Sequence, residues 1–411
     1  METISSSINN KIKIHNKSEN NSNINVFSEY KLGDQIVKNR VAMAALTRVR
    51  CDPETGVPND LHVKYYSQRA EDAGFVLTEC AAISKDSNSF PGSACIYSKE
   101  QIQGWKKVID KVHEKNNKIF IQIWHCGRSV HKKLINGHNP LAPSSIQNRH
   151  KGRTPDGFIP YDQPVEMSIK DIEYTLDLFE KAAYNALEAG FDGIELHGAN
   201  GYLIDNFLRD ASNQRTDDYG GCIENRCKFP LQVIDRLIKV FGPSKVGIKI
   251  SPCGRLNDMF DSNPEKLYSY FLRELSKKKI AFVEVMKAPE FRKCENFYGV
   301  KGEDQIKDMF EFVRKHFDYN INNANKNNNC FTDYKPTIIG NNSIDFKEAE
   351  QLIHNKIIDM VSFGRNYISN PDLCYRLKNK LKLTIPDYNT FYVHGNEGYN
   401  TYKTYNEIIN D

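Results

Sequence analysis

The sequence predicts a (β/α)8 barrel. Three observations lead there. Short, β-branched, nearly charge-free runs alternate with long helical patterns; the alternation gives eight strand–helix units; and residues able to do chemistry gather at the ends of the strand-like runs. Strands buried on both faces read as such continuous apolar runs. A doubly wound open sheet would prefer a GxGxxG turn after an early strand, and none occurs; "IIGNNS" is not one.

In chain order, "VAMAALT" (41–47) is the first strand. "FVLTECAAI" (75–83) follows the helical "LHVKYYSQRAEDAG", and "KIFIQIWH" (118–125) follows "KEQIQGWKKVIDKVHEKN". "GIELHGA" (193–199) follows "SIKDIEYTLDLFEKAAYNALEAG", and "KVGIKISP" (245–252) follows "ENRCKFPLQVIDRLIKVFG". "IAFVEVM" (280–286) follows "NPEKLYSYFLRELSKKK". "PTIIGN" (336–341) follows a helix near 302–316, and "DMVSFGR" (359–365) follows "IDFKEAEQLIHNK", with "NPDLCYRLKNK" as a last helix. Ser168, Asn263 and Asn370 stand where N-caps are expected, the last two before proline. Gly190 and Gly242 stand where left-handed C-caps are expected.

Residues 1–25 read as a disordered polar tail, and 26–411 as one barrel domain. An Asn-rich tract at 319–330 reads as a solvated insertion, and 147–164, which lacks periodicity, as a long loop over one face. The 56 basic and 52 acidic residues leave a net charge of only +4, which argues against a nucleic-acid or anionic-membrane partner. No run approaches the roughly 20 apolar residues of a membrane span. The N-terminus has no apolar core of a secretory signal. The 10 cysteines show no CxxC pairs or metal-ligand spacing, so no metal is expected, and the chain reads as reduced and cytoplasmic.

A barrel builds its site at the C-terminal strand ends. Here those ends carry Thr47; Cys80; Gln122 and Trp124; His197, Asn200 and Tyr202; Lys249; Gly340-Asn341; and Gly364-Arg365. The last two strands offer backbone N–H groups and a guanidinium, where barrels commonly hold phosphate. Thr47, Gln122 and Lys249 offer a hydroxyl, an amide and a cation. Together they suit a flat, hydrogen-bonding ring joined to a phosphate, as in flavin mononucleotide (FMN). A lone strand-borne lysine leaves a second reading open, a Schiff-base lyase with Lys249 as nucleophile.

The motifs "NRVAMAALTR", "IFIQIWHCGR", "GFDGIELHGANGYLIDNFLRDASNQRTDDYGGCIENR", "VSFGRNYISNPDLCYRL" and "TFYVHGNEGYNTY" resemble those of the old yellow enzyme family, flavin-dependent ene-reductases that include the plant oxophytodienoate reductases. The resemblance runs from about Phe27 to Tyr405. It implies non-covalent FMN, NADPH as electron donor and an α,β-unsaturated carbonyl substrate (an enone or oxylipin), in a monomer or homodimer. Residue by residue, it implies that Thr47 bonds the flavin O4, Gln122 its pyrimidine edge, and Lys249, where most members have arginine, its N1 and O2 side. Cys80 stands where glycine or alanine is usual and would present its backbone N–H. Ala45 replaces a usual proline, and Ala44 keeps its carbonyl. Gly340, Asn341, Gly364 and Arg365 match phosphate-binding positions. His197 and Asn200 match the donors to the substrate carbonyl, and Tyr202 the proton donor. Tyr392 matches an aromatic near the substrate, and Trp124 is a candidate substrate wall. The departures at Ala45, Cys80 and Lys249 keep a non-catalytic flavin-binding protein open as an alternative.

Overall fold

The computed structural model describes residues 24–154, 156–288, 306, 308–326 and 334–410. The expected tail over 1–25 lies almost wholly outside the described residues. Eight parallel strands close into a barrel: β1 (Val41–Met43), β2 (Phe75–Ala82), β3 (Ile119–Trp124), β4 (Gly193–Gly198), β5 (Val246–Ile250), β6 (Phe282–Met286), β7 (Thr337–Asn341) and β8 (Met360–Phe363). Each strand pairs with its sequence neighbour, and β8 returns to β1. The outer layer contains α1 (Asp60–Arg69), α2 (Lys99–His113), α3 (Ile169–Ala189), α4 (Leu203–Leu208), α5 (Ile223–Phe241), α6 (Pro264–Lys277), α7 (Met309–Lys326), α8 (Phe346–His354), α9 (Arg365–Ser369) and α10 (Leu373–Lys378).

Helix boundaries follow their caps. Ser168 and Asp171 form a reciprocal capping box at the start of α3, and Gly190 ends it at φ +99°. Asn263 caps α6 ahead of Pro264. Asn370 does not act as expected: it ends α9, and Asp372 precedes α10, because the chain needs a short extra helix after β8 before the last one begins. The Asn-rich tract begins inside a helix, since α7 continues through Lys326; 327–330 lie outside the described residues. The segment 147–164 is more ordered than its sequence suggested. It contains an antiparallel hairpin, Lys151–Thr154 with Gly157–Pro160, turned by Gly157 at φ +102°.

Side chains alternate in and out along each strand, and the inward set changes character along the barrel axis. The first inward layer is apolar: Phe75, Phe120, Phe282, Ile339 and Met360 pack with Leu32 and Val37 of an N-terminal hairpin, Tyr30–Leu32 with Gln35–Val37, that covers this end. Gly193 and Gly247 make room for the rings; a Cβ there would lie 2.1 Å from Phe120 and 2.2 Å from Phe282. Two residues further along the same strands, Gln122, Glu195, Lys249, Glu284, Asn341 and Ser362 form a polar layer, all buried. The barrel is therefore plugged by hydrocarbon at one end and lined by hydrogen-bonding groups toward the other, where its loops converge.

Candidate active site

The chain leaves β4, which ends on His197 and Gly198, through a tight turn that carries Asn200 and Tyr202. Asn200 at φ +60° and Gly201 at φ +75° are consecutive left-handed residues; asparagine tolerates that region, and at Gly201 a Cβ would sit 2.6 Å from Met259 Cγ. The turn's backbone is pinned. Asn200 N–H donates to Ser251 Oγ (3.0 Å), Asn257 Nδ2 donates to the Asn200 carbonyl (2.7 Å), and Gly201 N–H donates to Asp205 Oδ2 (2.9 Å). Asp205 in turn pairs with buried Arg209 at 2.8 Å. The Asn200 side-chain amide has no protein partner among the described residues and lines a cavity.

His197 is 5% exposed. The Ala199 N–H donates to its Nδ1 (3.3 Å), which leaves the proton on Nε2. Burial, aided by the Lys249 ammonium, depresses the imidazole to about 3, so the ring is neutral and its Nε2–H is a donor at physiological pH. Tyr202 is the residue before α4. Its ring lies edge-on to Trp124 (centroids 4.6 Å apart) and to His197 (5.1 Å). Enclosure, more than the nearby Cys80, Tyr161 and Tyr392, holds its phenol well above the usual value and hence protonated, although one edge stays accessible.

The cavity measures about 220 Å³. It runs from Asn200 and Lys249, past Ala44, Ala45 and Leu46 after β1, to Asn341–Ile344 after β7 and Ser362–Asn366 after β8. Of the expected residues, Ala44, Asn200, Lys249, Asn341, Gly364 and Arg365 thus share one space. Thr47, Cys80 and Gln122 form a hydrogen-bonded row in the adjoining wall: Thr47 bonds Cys80, and Cys80 Sγ donates to Gln122 Oε1 (2.7 Å). Gly340 is not among the cavity-lining residues; a Cβ there would meet Ile358, Ile344 and Phe310. Trp124 is 1% exposed and stacks on Phe90 behind Tyr202, so it backs the tyrosine instead of presenting a surface. Tyr392 is 45% exposed and close enough to Cys80 and Tyr202 to affect both electrostatically. Sequence reasoning missed Asn342 and Ser343, which follow Asn341 at φ +66° and +54°; the polar run "NNS" after an apolar strand was the available signal.

The family model described as NADH:flavin oxidoreductase / NADH oxidase matches residues 25–384. The chain belongs to this family. A Leishmania infantum relative named "Probable flavin mononucleotide-dependent alkene reductase" is 38% identical over 381 residues, 90% of this chain and 95% of that protein. The old yellow enzyme homologue from Zymomonas mobilis superposes with a TM-score of 0.83 at 34% identity, covering 92% of this chain and 99% of that one. Morphinone reductase in complex with tetrahydroNAD gives 0.82 at 32% identity, covering 93% and 98%. The protein is a flavin oxidoreductase of the old yellow enzyme type.

The residues present suit the FMN of this flavin oxidoreductase family. Arg365 makes no ion pair among the described residues and lines the cavity beside Gly364. Lys249 lines the same cavity, as do the small residues Ala44 and Ala45. Two cations contributed by different strands, with hydrogen-bonding groups beside Lys249, match a phosphate joined to a polar ring. The Schiff-base reading of Lys249 fails. Burial alone would depress its ammonium, but Glu284, 3.1 Å away, and Glu195 overcome that and hold it above the ordinary lysine value, so no free amine is offered. Among the described residues no cluster of His, Cys, Asp or Glu is arranged to hold a metal, and no helix is long and apolar enough to cross a membrane.

Proposed function

We propose that the protein reduces the C=C bond of α,β-unsaturated carbonyl compounds, taking its electrons from NADPH. The observation that carries this reading is the cluster where β4 ends: His197 on the strand lies 5.1 Å from the Tyr202 ring, and Asn200, on the turn between them, lines the cavity with an uncommitted amide. When bound, FMN would supply the redox chemistry, a hydride for the substrate's β-carbon. His197 Nε2–H and the Asn200 amide receive the carbonyl oxygen. As hydride adds, charge accumulates on that oxygen, and donors already fixed in place stabilise it without reorganising. Tyr202 delivers a proton to the α-carbon, so that one hydride and one proton together saturate the double bond. The enclosure that raises the phenol also keeps its proton in place until a strongly basic carbon arrives. The bound tetrahydroNAD named for morphinone reductase supports a nicotinamide as the reductant here.

The two half-reactions test this separately by stopped flow. Tyr202→Phe is expected to leave flavin reduction by NADPH unchanged and to slow reoxidation by an enone such as cyclohexenone by about 10²- to 10⁴-fold. If both half-reactions fall together, Tyr202 is not the proton donor.

A further inference from the structure

Two carboxylic acids and one lysine lie together on β4, β5 and β6, in the polar layer against the flavin cavity. Lys249 is opposite Glu284 in the strand register, and its Nζ is 3.1 Å from Glu284 Oε2. Ser362 Oγ donates to Glu284 Oε1, and Asn341 Nδ2 donates to Ser362 Oγ (2.7 Å). On the other side, Gln122 Nε2 donates to Glu195 Oε2 (2.5 Å). Both glutamates are fully buried. Drawn as two carboxylates, Glu195 Oε1 would lack a hydrogen-bond donor, while Glu284 Oε2 faces the Lys249 ammonium. Two buried negative charges beside one ammonium would be expensive. One proton on Glu195, directed toward Glu284, removes one of the buried charges and gives Glu195 Oε1 a partner, and burial with the neighbouring Glu284 does push the Glu195 carboxyl well up. What remains is one negative charge on Glu284 against one positive charge on Lys249.

We propose that Glu284 is a positioning residue for the flavin: it anchors Lys249 at the cavity wall and offsets its charge, so the bound ring meets a neutral pair and not a bare cation. This rests on the FMN assignment above. Two-electron reduction adds negative charge to the ring, and an unbalanced cation beside it would favour the reduced form. The pair therefore holds the flavin's midpoint potential below the value a free lysine would set.

The experiment is the midpoint potential of the FMN-loaded protein, measured spectrally against reference dyes. Glu284→Gln keeps the shape and still accepts from Ser362 but removes the charge. Glu195 is not within ion-pair distance of Lys249, so it replaces that charge incompletely. Glu284→Gln alone is expected to raise the preference for reduced over oxidised flavin by about threefold or more. Glu195→Gln with Glu284→Gln is expected to raise it about tenfold, or about 30 mV for the two-electron couple. Glu284→Asp, which keeps the charge, is expected to return it toward the wild-type value. A role limited to packing would lower the melting temperature or the FMN affinity and leave the potential in place. No rise in the double variant overturns the proposal, as does no rise in Glu284→Gln should the double variant not fold. A wild-type protein that binds no FMN would instead overturn the cofactor assignment itself.

Discussion

The neutral state of His197 makes stability depend on pH in a way that a single substitution isolates. In the folded protein the imidazole is depressed to about 3 by burial and by Lys249. In the unfolded chain it titrates near its reference value of about 6.5. The folded-state value is the lower one, so His197 contributes no penalty above about pH 6.5, and stability is lost progressively as pH falls from there toward 3. At pH 5 the unfolded ring has taken up a proton that the folded ring refuses. The cost is RT ln(1 + 10^1.5), about 2 kcal/mol, against almost nothing at pH 7.5. No discount for solvent screening applies to a ring that is 5% exposed. His197→Gln has no such titration. The unfolding free energy from urea titrations, followed by circular dichroism at pH 7.5 and pH 5, is expected to fall by about 2 kcal/mol less in the variant than in the wild type. Buried carboxyls contribute equally to both proteins and cancel in the difference; Glu195, whose folded-state value is raised, acts in the opposite sense. Equal losses in the two proteins would refute the claim that His197 is held neutral, and with it the claim that Nε2–H is a standing donor.

Two other substitutions separate the cofactor end of the site from the substrate end. Arg365→Ala is expected to weaken FMN binding by about 1.5–3 kcal/mol, the value of a hydrogen bond to a charged group. Fluorescence titration of the apoprotein checks this, and riboflavin, which has no phosphate, serves as control: an equal loss with riboflavin would place Arg365 elsewhere. Asp205→Ala breaks a buried ion pair and releases the Gly201 N–H, and is expected to cost about 3–5 kcal/mol of stability. A thermal melt reads that loss, and reoxidation by enone is expected to slow while the FMN dissociation constant holds. Unchanged melting would show that the turn after β4 does not depend on the Asp205–Arg209 pair.

The barrel was legible because strands buried on both faces leave continuous β-branched runs, and all eight stand within a few residues of where the runs do. The two hairpins were not. "YKLGDQIV" buries only its inner residues Leu32 and Val37, and the strand Lys151–Thr154 alternates exposed and buried without apolar side chains to mark it. Strand-end residues were legible by position, and strand phase explains most of what position missed. Asn341 points inward, and a Cβ at Gly340 would point the other way, toward Ile358 and Phe310. The same two-residue period puts Glu195 in phase with His197, and Glu284 in phase with Met286, which lines the cavity. A carboxylate inside a strand buried on both faces requires a donor or a cation on that face. Lys249 is a cation among apolar neighbours with the complementary requirement. Read together, "IELHG", "VGIKI" and "FVEVM" demand that these three side chains meet within the barrel. The excess of acid over base in that meeting is a property of the sequence. The distances decide which acid faces the lysine, and they select Glu284.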